Sequence, residues 1–390
     1  MTRLRGLVLT NLFATPDQPT RATFNRQQFA ELQKLHDLLI MVPVPRRLPG
    51  APGNHAITLW KTASGSTAIA FPVWHPAMIG RLFNAWWLYR VARAVLLKHF
   101  PEWRPQFILG SFAYPDGVAA TLLGRFLGVS SVIKVHGSDI NLMARDPIIR
   151  LQLQRAFRRA AGVVAVSRAL IDRMRQLELQ HPHTLLVYNG IDKAVFRPLD
   201  QAGARRMLGL PAPGRNILYL GNLKRDKGVF DLLRAFQQLA VEWPDVGLEF
   251  VGTGPAAKEL GETIAAAGLA ARVKLRGGRP HEEMPYWLAA CDVLCLPSHA
   301  EGVPNVVVEA QASGRPVVAS AVGGVPEVVR AGSGLLVPAR DIDALHRALV
   351  EALNTSWDAD QIVRTCPAPS WQQSAQLLGE FIASRIRGAS

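Results

Sequence analysis

Cysteine is scarce, with three in 390 residues, and Cys291 and Cys295, four apart, lack the second Cys or His pair that a zinc site needs. All three therefore read as reduced core residues. Acidic side chains are also short: 30 Asp and Glu against 44 Lys and Arg leave a net charge of +14, which favours acidic partners such as nucleotide phosphates, nucleic acid or anionic lipid. No apolar run reaches 18 residues, so no membrane-spanning helix is expected. Internal repeats and low-complexity tracts are missing too. With 49% hydrophobic and 19% charged residues, the chain is globular rather than disordered, and its length suggests two to three domains with sizeable cores. The opening LRGLVLT reads as a strand that runs straight into a polar loop, unlike a signal peptide. A cytosolic protein is expected.

What is present is an alternation of strand and helix patterns. In the first half, strands are expected at 4–10, 38–44, 67–73, 107–111, 131–135, 163–167 and 185–188. Helices are expected at 25–36, 84–99, 115–127, 147–160 and 169–177. Strands separated by single helices predict a parallel α/β sheet. The pattern restarts at NILYLGNL and continues through LEFVG, VKLRGG, VLCLPS, PVVAS and GLLVP, with helices between, which predicts a second doubly wound sheet. Residues 196–213 are polar, basic and rich in Pro and Gly, and read as the linker between the two.

Open α/β sheets bind ligands beyond the carboxyl ends of their strands, so the loops that follow strands hold the candidate residues. HGSD begins at His136, GNLKRDKG runs from Gly221 and Asn222 to Lys227 and Gly228, and GTG begins at Gly252. A Gly-flanked basic loop ending in Lys227 would set an ammonium on a diphosphate, where charge develops as a sugar leaves. The bland alternative is a basic, solvated helix N-terminus. Neither the GTG turn nor His136 says much in isolation, since tight turns use glycine without any ligand.

The densest stretch is 298–316, SHAEGVPNVVVEAQASGRP, with Glu301 in a loop and Glu309 on the helix that follows. Backbone N–H groups of Asn305, Val306 and Val307 at that helix N-terminus suit an anion. An ionised carboxylate accepts from two hydroxyls at once, so amides beside two carboxylates suit a ligand with both phosphates and vicinal hydroxyls, a nucleotide sugar. The alternative is one carboxylate serving the helix dipole and one on a wet face. Other pairs are decoys: Asp341 and Asp343 have metal-like spacing but open an amphipathic helix, where Asp is a good N-cap. His181 and His183 read as solvated loop residues, and His281 lacks a second helical His.

In combination, SHAEGVPNVVVEAQASGRPVVASAVGGVPEVV, GNLKRDKG, VGTGP, YWLAACDVLCLPS, HGSD and VYNGIDKAVFRP resemble the retaining glycosyltransferases of family 4. The first matches that family's Glu-x7-Glu signature. The resemblance implies the GT-B fold, two facing Rossmann-like doubly wound parallel-sheet domains with a C-terminal helix crossing back. That gives an acceptor-side domain at 1–196 plus 371–390 and a nucleotide-sugar domain at 197–370. It implies that Glu301 holds donor-sugar hydroxyls, Glu309 the ribose hydroxyls, Lys227 the diphosphate and His136 the sugar from the opposite domain. Backbone groups at Gly302, Asn305 and Val306 would face sugar and phosphate, with Gly221, Asn222 and Gly252 in the donor loops. No metal and no cofactor beyond the nucleotide-sugar substrate are implied. Two positions depart from the pattern: Asn222 stands where the family commonly has Arg, with Lys224 or Arg225 able to supply the charge, and Ala22 stands where a Gly is common.

The implied activity moves a sugar from a nucleotide-diphosphate donor to a glycan or lipid-linked acceptor in cell-surface polysaccharide synthesis. Residues 81–104 mix Phe83, Trp86, Trp87 and Tyr89 with Arg81, Arg90, Arg93 and Lys98, a composition that fits a helix on an anionic membrane and equally a core helix with a basic wet face. A peripheral seat on the inner face of a membrane is the matching expectation. Remaining alternatives are a same-fold nucleotide-sugar epimerase or phosphorylase, and a catalytically silent nucleotide-binding partner. A nucleic-acid reader is not expected, because the basic residues outside 81–104 are scattered.

Overall fold

The computed structural model describes residues 3–19, 21–45, 56–74, 80–210 and 214–387, apart from the side chains of Arg81 and Arg387. Thr20, residues 211–213 and 388–390, and the Arg81 side chain lie outside the described residues. The chain forms two units, residues 1–190 with 369–390 and residues 191–368.

In the first unit the elements run β1 (Arg5–Leu9), α1 (Thr23–Leu35), β2 (Asp37–Pro45), β3 (Thr58–Lys61), β4 (Thr67–Val73), α2 (Gly80–His99), β5 (Phe107–Ser111), α3 (Val118–Leu127) and β6 (Ser130–Val135). They continue with α4 (Ser138–Asn141), α5 (Pro147–Arg159), β7 (Gly162–Ala165), α6 (Arg168–Gln176) and β8 (Thr184–Leu186). The sheet order is β3-β4-β2-β1-β5-β6-β7-β8, parallel except for β3, which pairs antiparallel with β4. Alternation along each strand supplies both faces. Val8, Leu38, Ile40 and Val42 join the layer with Phe29 and Leu32 of α1, whereas Leu7, Leu9, Leu39 and Met41 join the layer with Leu88 and Leu96 of α2.

The second unit runs α7 (Gln201–Leu208), β9 (Arg215–Leu220), α8 (Val229–Glu242), β10 (Val246–Val251), α9 (Ala257–Ala266), β11 (Val273–Gly277), α10 (Met284–Ala290) and β12 (Val293–Leu296). Then come α11 (Asn305–Ala312), β13 (Val317–Ser320), α12 (Val325–Val328), β14 (Gly334–Val337), α13 (Ile342–Asn354) and α14 (Ala359–Thr365). Its sheet, β11-β10-β9-β12-β13-β14, is parallel throughout. The order reverses between β9 and β12. Loops leaving these two strands therefore emerge side by side at the carboxyl end of the sheet, the switch point at which open α/β sheets bind ligands.

The last helix, α15 (Trp371–Arg387), returns to the first unit, as the crossover expectation has it. Its Leu378 and Ile382 join the α1 layer, and Gln28 of α1 donates to Ser374 at 2.9 Å.

Residues 196–213 are not a bare linker. Phe196 is buried in the second core, Asp200 caps α7, and Arg205 is folded in, donating to the carbonyls of Ala290 (2.9 Å) and Gly214 (2.8 Å) and to Asp292 (2.7 Å). In the sequence its charge reads as linker polarity because its carboxylate partner, Asp292, is 87 positions away. His181, read as solvated, is half-buried and its Nε2 meets the Ala160 carbonyl at 3.1 Å.

Candidate active site

The loops after β9 and β12 are bound to each other at three points. The His299 N–H donates to the Asp226 carbonyl at 2.8 Å, and the His299 ring meets Asp231 at the start of α8 at 2.7 Å. The third point is the ion pair of Lys227 Nζ with Glu301 Oε1 at 2.7 Å. Gly228 allows the approach: its φ is 69°, and a Cβ there would stand 2.0 Å from the Pro297 carbonyl oxygen. Gly302 is fixed from the other side, its carbonyl accepting from the Gly324 N–H at 2.7 Å. Two of the expected site residues, 74 positions apart, are thus in direct contact.

Glu309 lies on α11, the helix that follows. It is half-buried, its carboxylate has no hydrogen-bond partner among the described residues, and burial pushes its pKa up to about 7. An accessible but unpartnered carboxyl in a poorly solvated place is what a ligand bearing hydroxyls would complete. The helix begins as expected after Pro304, with Asn305 and Val306 in its first turn. The Val307 N–H turns back to the Pro304 carbonyl at 3.1 Å, so that amide is taken.

The neighbouring turns are held by the sheet. Gly221 N–H donates to Val251 O at 3.0 Å and Gly252 N–H to Gly277 O at 2.8 Å, while the Tyr219 hydroxyl donates to the Asn222 carbonyl at 2.8 Å. The Asn222 side chain stands on the surface. Of the two residues able to supply the charge that Asn222 lacks, Arg225 is engaged, pairing with Glu259 and lying 4.7 Å from the Phe230 ring centre. Lys224 is exposed and makes no ion pair among the described residues. Away from the switch point, Asp341 accepts from the Ala344 N–H at 2.8 Å as the N-cap of α13, and Asp343 accepts from Gln238.

His136 belongs to the first unit, just past β6. Its Nε2 meets Ser111 Oγ at 2.9 Å, and its ring lies 5.3 Å from that of Phe24 on α1. The residue that shapes its loop is Asp139, which sequence reading left without a role. Its buried carboxylate accepts from the N–H groups of Gly137 (2.7 Å), Ala113 (2.8 Å), His136 (3.1 Å) and Ile140 (3.1 Å). The four N–H donors favour the ionised form and oppose burial, which nevertheless leaves the carboxyl's pKa above its ordinary value. Burial, aided by Lys134, pulls the His136 pKa well below its ordinary value, so the imidazole is neutral at neutral pH. Ala22 sits at the start of α1 with φ 47° and ψ 51°. The left-handed backbone that a glycine would give is kept, at a cost of about 1 kcal/mol for the Cβ.

Lys134, also unremarked in the sequence, is buried on β6 with its Nζ 2.5 Å from Gln28 Oε1, and Gln28 in turn donates to Ser374. One neutral partner does not repay the desolvation of an ammonium, and burial lowers its pKa to about 7. Because the ordinary value is 10.5, the unfolded chain holds more protons between about pH 7 and 10.5, so stability rises with pH across that window and the full cost is present below it. Lys134→Met is therefore expected to stabilise the protein by about 1–3 kcal/mol at neutral pH, with a gain that shrinks as pH rises. Thermal melts at several pH values test this, and a destabilised variant at pH 7 would contradict it.

Residues 214–355 match the family described as Glycosyl transferases group 1, and residues 29–195 match Glycosyltransferase Family 4. Among curated relatives, a teichuronic acid biosynthesis glycosyltransferase, TuaC of Bacillus subtilis, is 31% identical over 374 residues, covering 92% of this chain and 90% of that protein. The 2-deoxystreptamine N-acetyl-D-glucosaminyltransferase of Streptomyces fradiae is 30% identical over 313 residues, covering 74% and 70%. Among solved structures, sucrose-phosphate synthase of Thermosynechococcus elongatus superposes with a TM-score of 0.80 at 20% identity over 100% of both chains. HepE of Anabaena, solved with UDP and glucose, gives 0.75 at 21% identity, covering 98% of this chain and 100% of that one. The shared fold is GT-B.

Proposed function

The chain belongs to the glycosyltransferases of group 1 and family 4, and from that premise we propose that it is a retaining, metal-independent hexosyltransferase using a nucleotide-diphosphate-sugar. The observation that carries this reading is the ion pair of Lys227 with Glu301 at the sheet's switch point, 2.7 Å long. In the free protein each group holds the other in place. When a donor binds, its diphosphate takes over the Lys227 ammonium, and the Glu301 carboxylate is released to accept hydroxyls of the sugar. Glu309, unpartnered, accepts the ribose hydroxyls. His136, neutral and engaged with Ser111 through Nε2, keeps Nδ1 for one hydrogen bond to a sugar hydroxyl, as donor or acceptor according to its tautomer.

Catalysis on this reading is positioning together with stabilisation of the departing diphosphate, while the acceptor hydroxyl attacks on the face the leaving group vacates. No covalent nucleophile is assigned. The UDP and UDP-glucose complexes of HepE support a uridine donor. The relationship to a teichuronic acid biosynthesis glycosyltransferase supports a place in polysaccharide synthesis, and a glycan or lipid-linked acceptor at the inner face of a membrane is part of the same proposal.

The test is donor binding and slow donor hydrolysis across UDP-, GDP- and ADP-sugars with EDTA present. One donor should bind selectively, and Glu309→Ala should lose it. Since an ionised Glu309 accepts two hydroxyls and its carboxyl in the free protein titrates at about 7, donor affinity should be level above that pH and weaken by about tenfold per unit below it. Glu309→Gln should flatten that limb. A folded chain that binds no donor, or one that needs a divalent cation, overturns the proposal.

A further inference from the structure

Among the described residues no helix is long and apolar enough to cross a membrane. Yet α2 is apolar on two sides. Ala85, Leu88, Ala92 and Leu96 face the interior, while Phe83 (53% exposed), Trp86 (45%) and Trp87 (37%) stand in solvent. A second element, which sequence reading did not connect with it, extends this surface. Leu142 lies 51% exposed between α4 and α5, and Ile148 and Leu151 project from the first turns of α5. The two helices are neighbours: Gln152 on α5 donates to the Leu82 carbonyl on α2 at 3.4 Å, and Ala85 shares a core cluster with Ile149 and Leu153. An exposed apolar surface drawn from two packed helices marks an interaction site.

Charge indicates what covers it. Neither α2 nor α5 contains a single Asp or Glu. Arg90 lies 5.0 Å from the Trp86 ring centre and Arg93 3.9 Å from that of Phe126, so both guanidinium groups are pinned on aromatic faces in this region. On the α5 side Arg145 and Arg155 are exposed, Arg155 seven positions after Ile148 and therefore on the same helix face. Two copies of the chain meeting here would bring basic groups against basic groups, which opposes self-association. Trp and Phe flanked by Arg suit the boundary between acyl chains and anionic headgroups, where aromatic rings are half wet and each basic side chain finds a phosphate.

We propose that α2, the α4–α5 connection and the first turns of α5 form one docking surface for an anionic bilayer. The chain would lie on the membrane rather than span it. The inference rests on the lipid-linked acceptor reading for its purpose but not for its geometry.

Full-length protein sedimented with vesicles of phosphatidylcholine, alone or mixed with phosphatidylglycerol, tests it. Binding is expected to the mixed vesicles, with salt weakening it. Phe83→Ser with Trp86→Ser, Ile148→Ser with Leu151→Ser, and Arg90→Gln with Arg155→Gln should each reduce partitioning by roughly tenfold or more. All six positions lie on the surface, so melting temperatures should hold. Equal binding to neutral vesicles, an α5 pair that changes nothing, or a solution dimer that these substitutions dissolve would overturn the proposal. Donor hydrolysis without vesicles reads the active site separately. A chain that binds vesicles but hydrolyses no donor sinks the transferase reading alone.

Discussion

Glu301→Ala and Lys227→Ala are each expected to slow sugar transfer by roughly 100-fold or more, the scale on which a positioned charge partner contributes to a transition state. The double variant should lose little beyond either single one, because groups that act as a unit are not additive. The reason lies in the pair itself. The Glu301 side chain is 10% exposed and Lys227 27%, so each depends on the other for its position in the free protein. Removing Lys227 strands a nearly buried carboxylate and leaves the departing diphosphate without its cation. Removing Glu301 frees the ammonium to swing and takes away the acceptor for the sugar hydroxyls. The two defects should separate kinetically. Lys227→Ala should lower kcat with a chemically poor leaving group most of all, whereas Glu301→Ala should also blur the choice among epimeric sugars. Steady-state transfer with each donor measures both. Wild-type rates in either variant would remove that residue from the mechanism.

The parts of this site that sequence discloses are those encoded locally. Glycine-flanked loops after strands, the helix opening after Pro304 and the eight-position spacing of Glu301 and Glu309 all lie within one reading window. The strand alternation of β1 and β2 is equally plain, since a run buried on both faces is apolar at every position. What sequence conceals depends on partners far along the chain. Arg205 passes for a linker residue until Asp292 is found beside it, and Lys134 for an ordinary strand residue until Gln28 and Ser374 close over it. Asp139, though it closes HGSD, gets no role of its own from the sequence because its four hydrogen-bond donors are backbone amides, which carry no letter there. The edge strand β3, only four residues long, is too short to show a period. The surface on α5 is hidden for a different reason. Its apolar residues follow helical spacing and pass for core until the structure shows which of them face outward.

Gly228→Ala is expected to slow sugar transfer almost as much as loss of the ion pair, although it changes no functional group. At φ 69° any side chain strains the backbone, and its Cβ would lie 2.0 Å from the Pro297 carbonyl oxygen, a backbone atom that cannot swing aside. The loop after β9 or the loop after β12 must then retreat by the better part of an ångström. A shift of about 1 Å in positioning groups costs on the order of 100-fold in rate, and the strain should lower stability by about 1–3 kcal/mol. Gly209→Ala supplies the control: its φ is 63°, nearly the same, but a Cβ there meets nothing within 4 Å. That variant should bear only the conformational cost, about 1 kcal/mol, and transfer sugar normally. The comparison isolates the approach of the two loops from the backbone angle. If both variants transferred sugar alike, Lys227 and Glu301 would not owe their meeting to the close passage at Gly228, and the switch point of the second sheet would lose its claim to be the site.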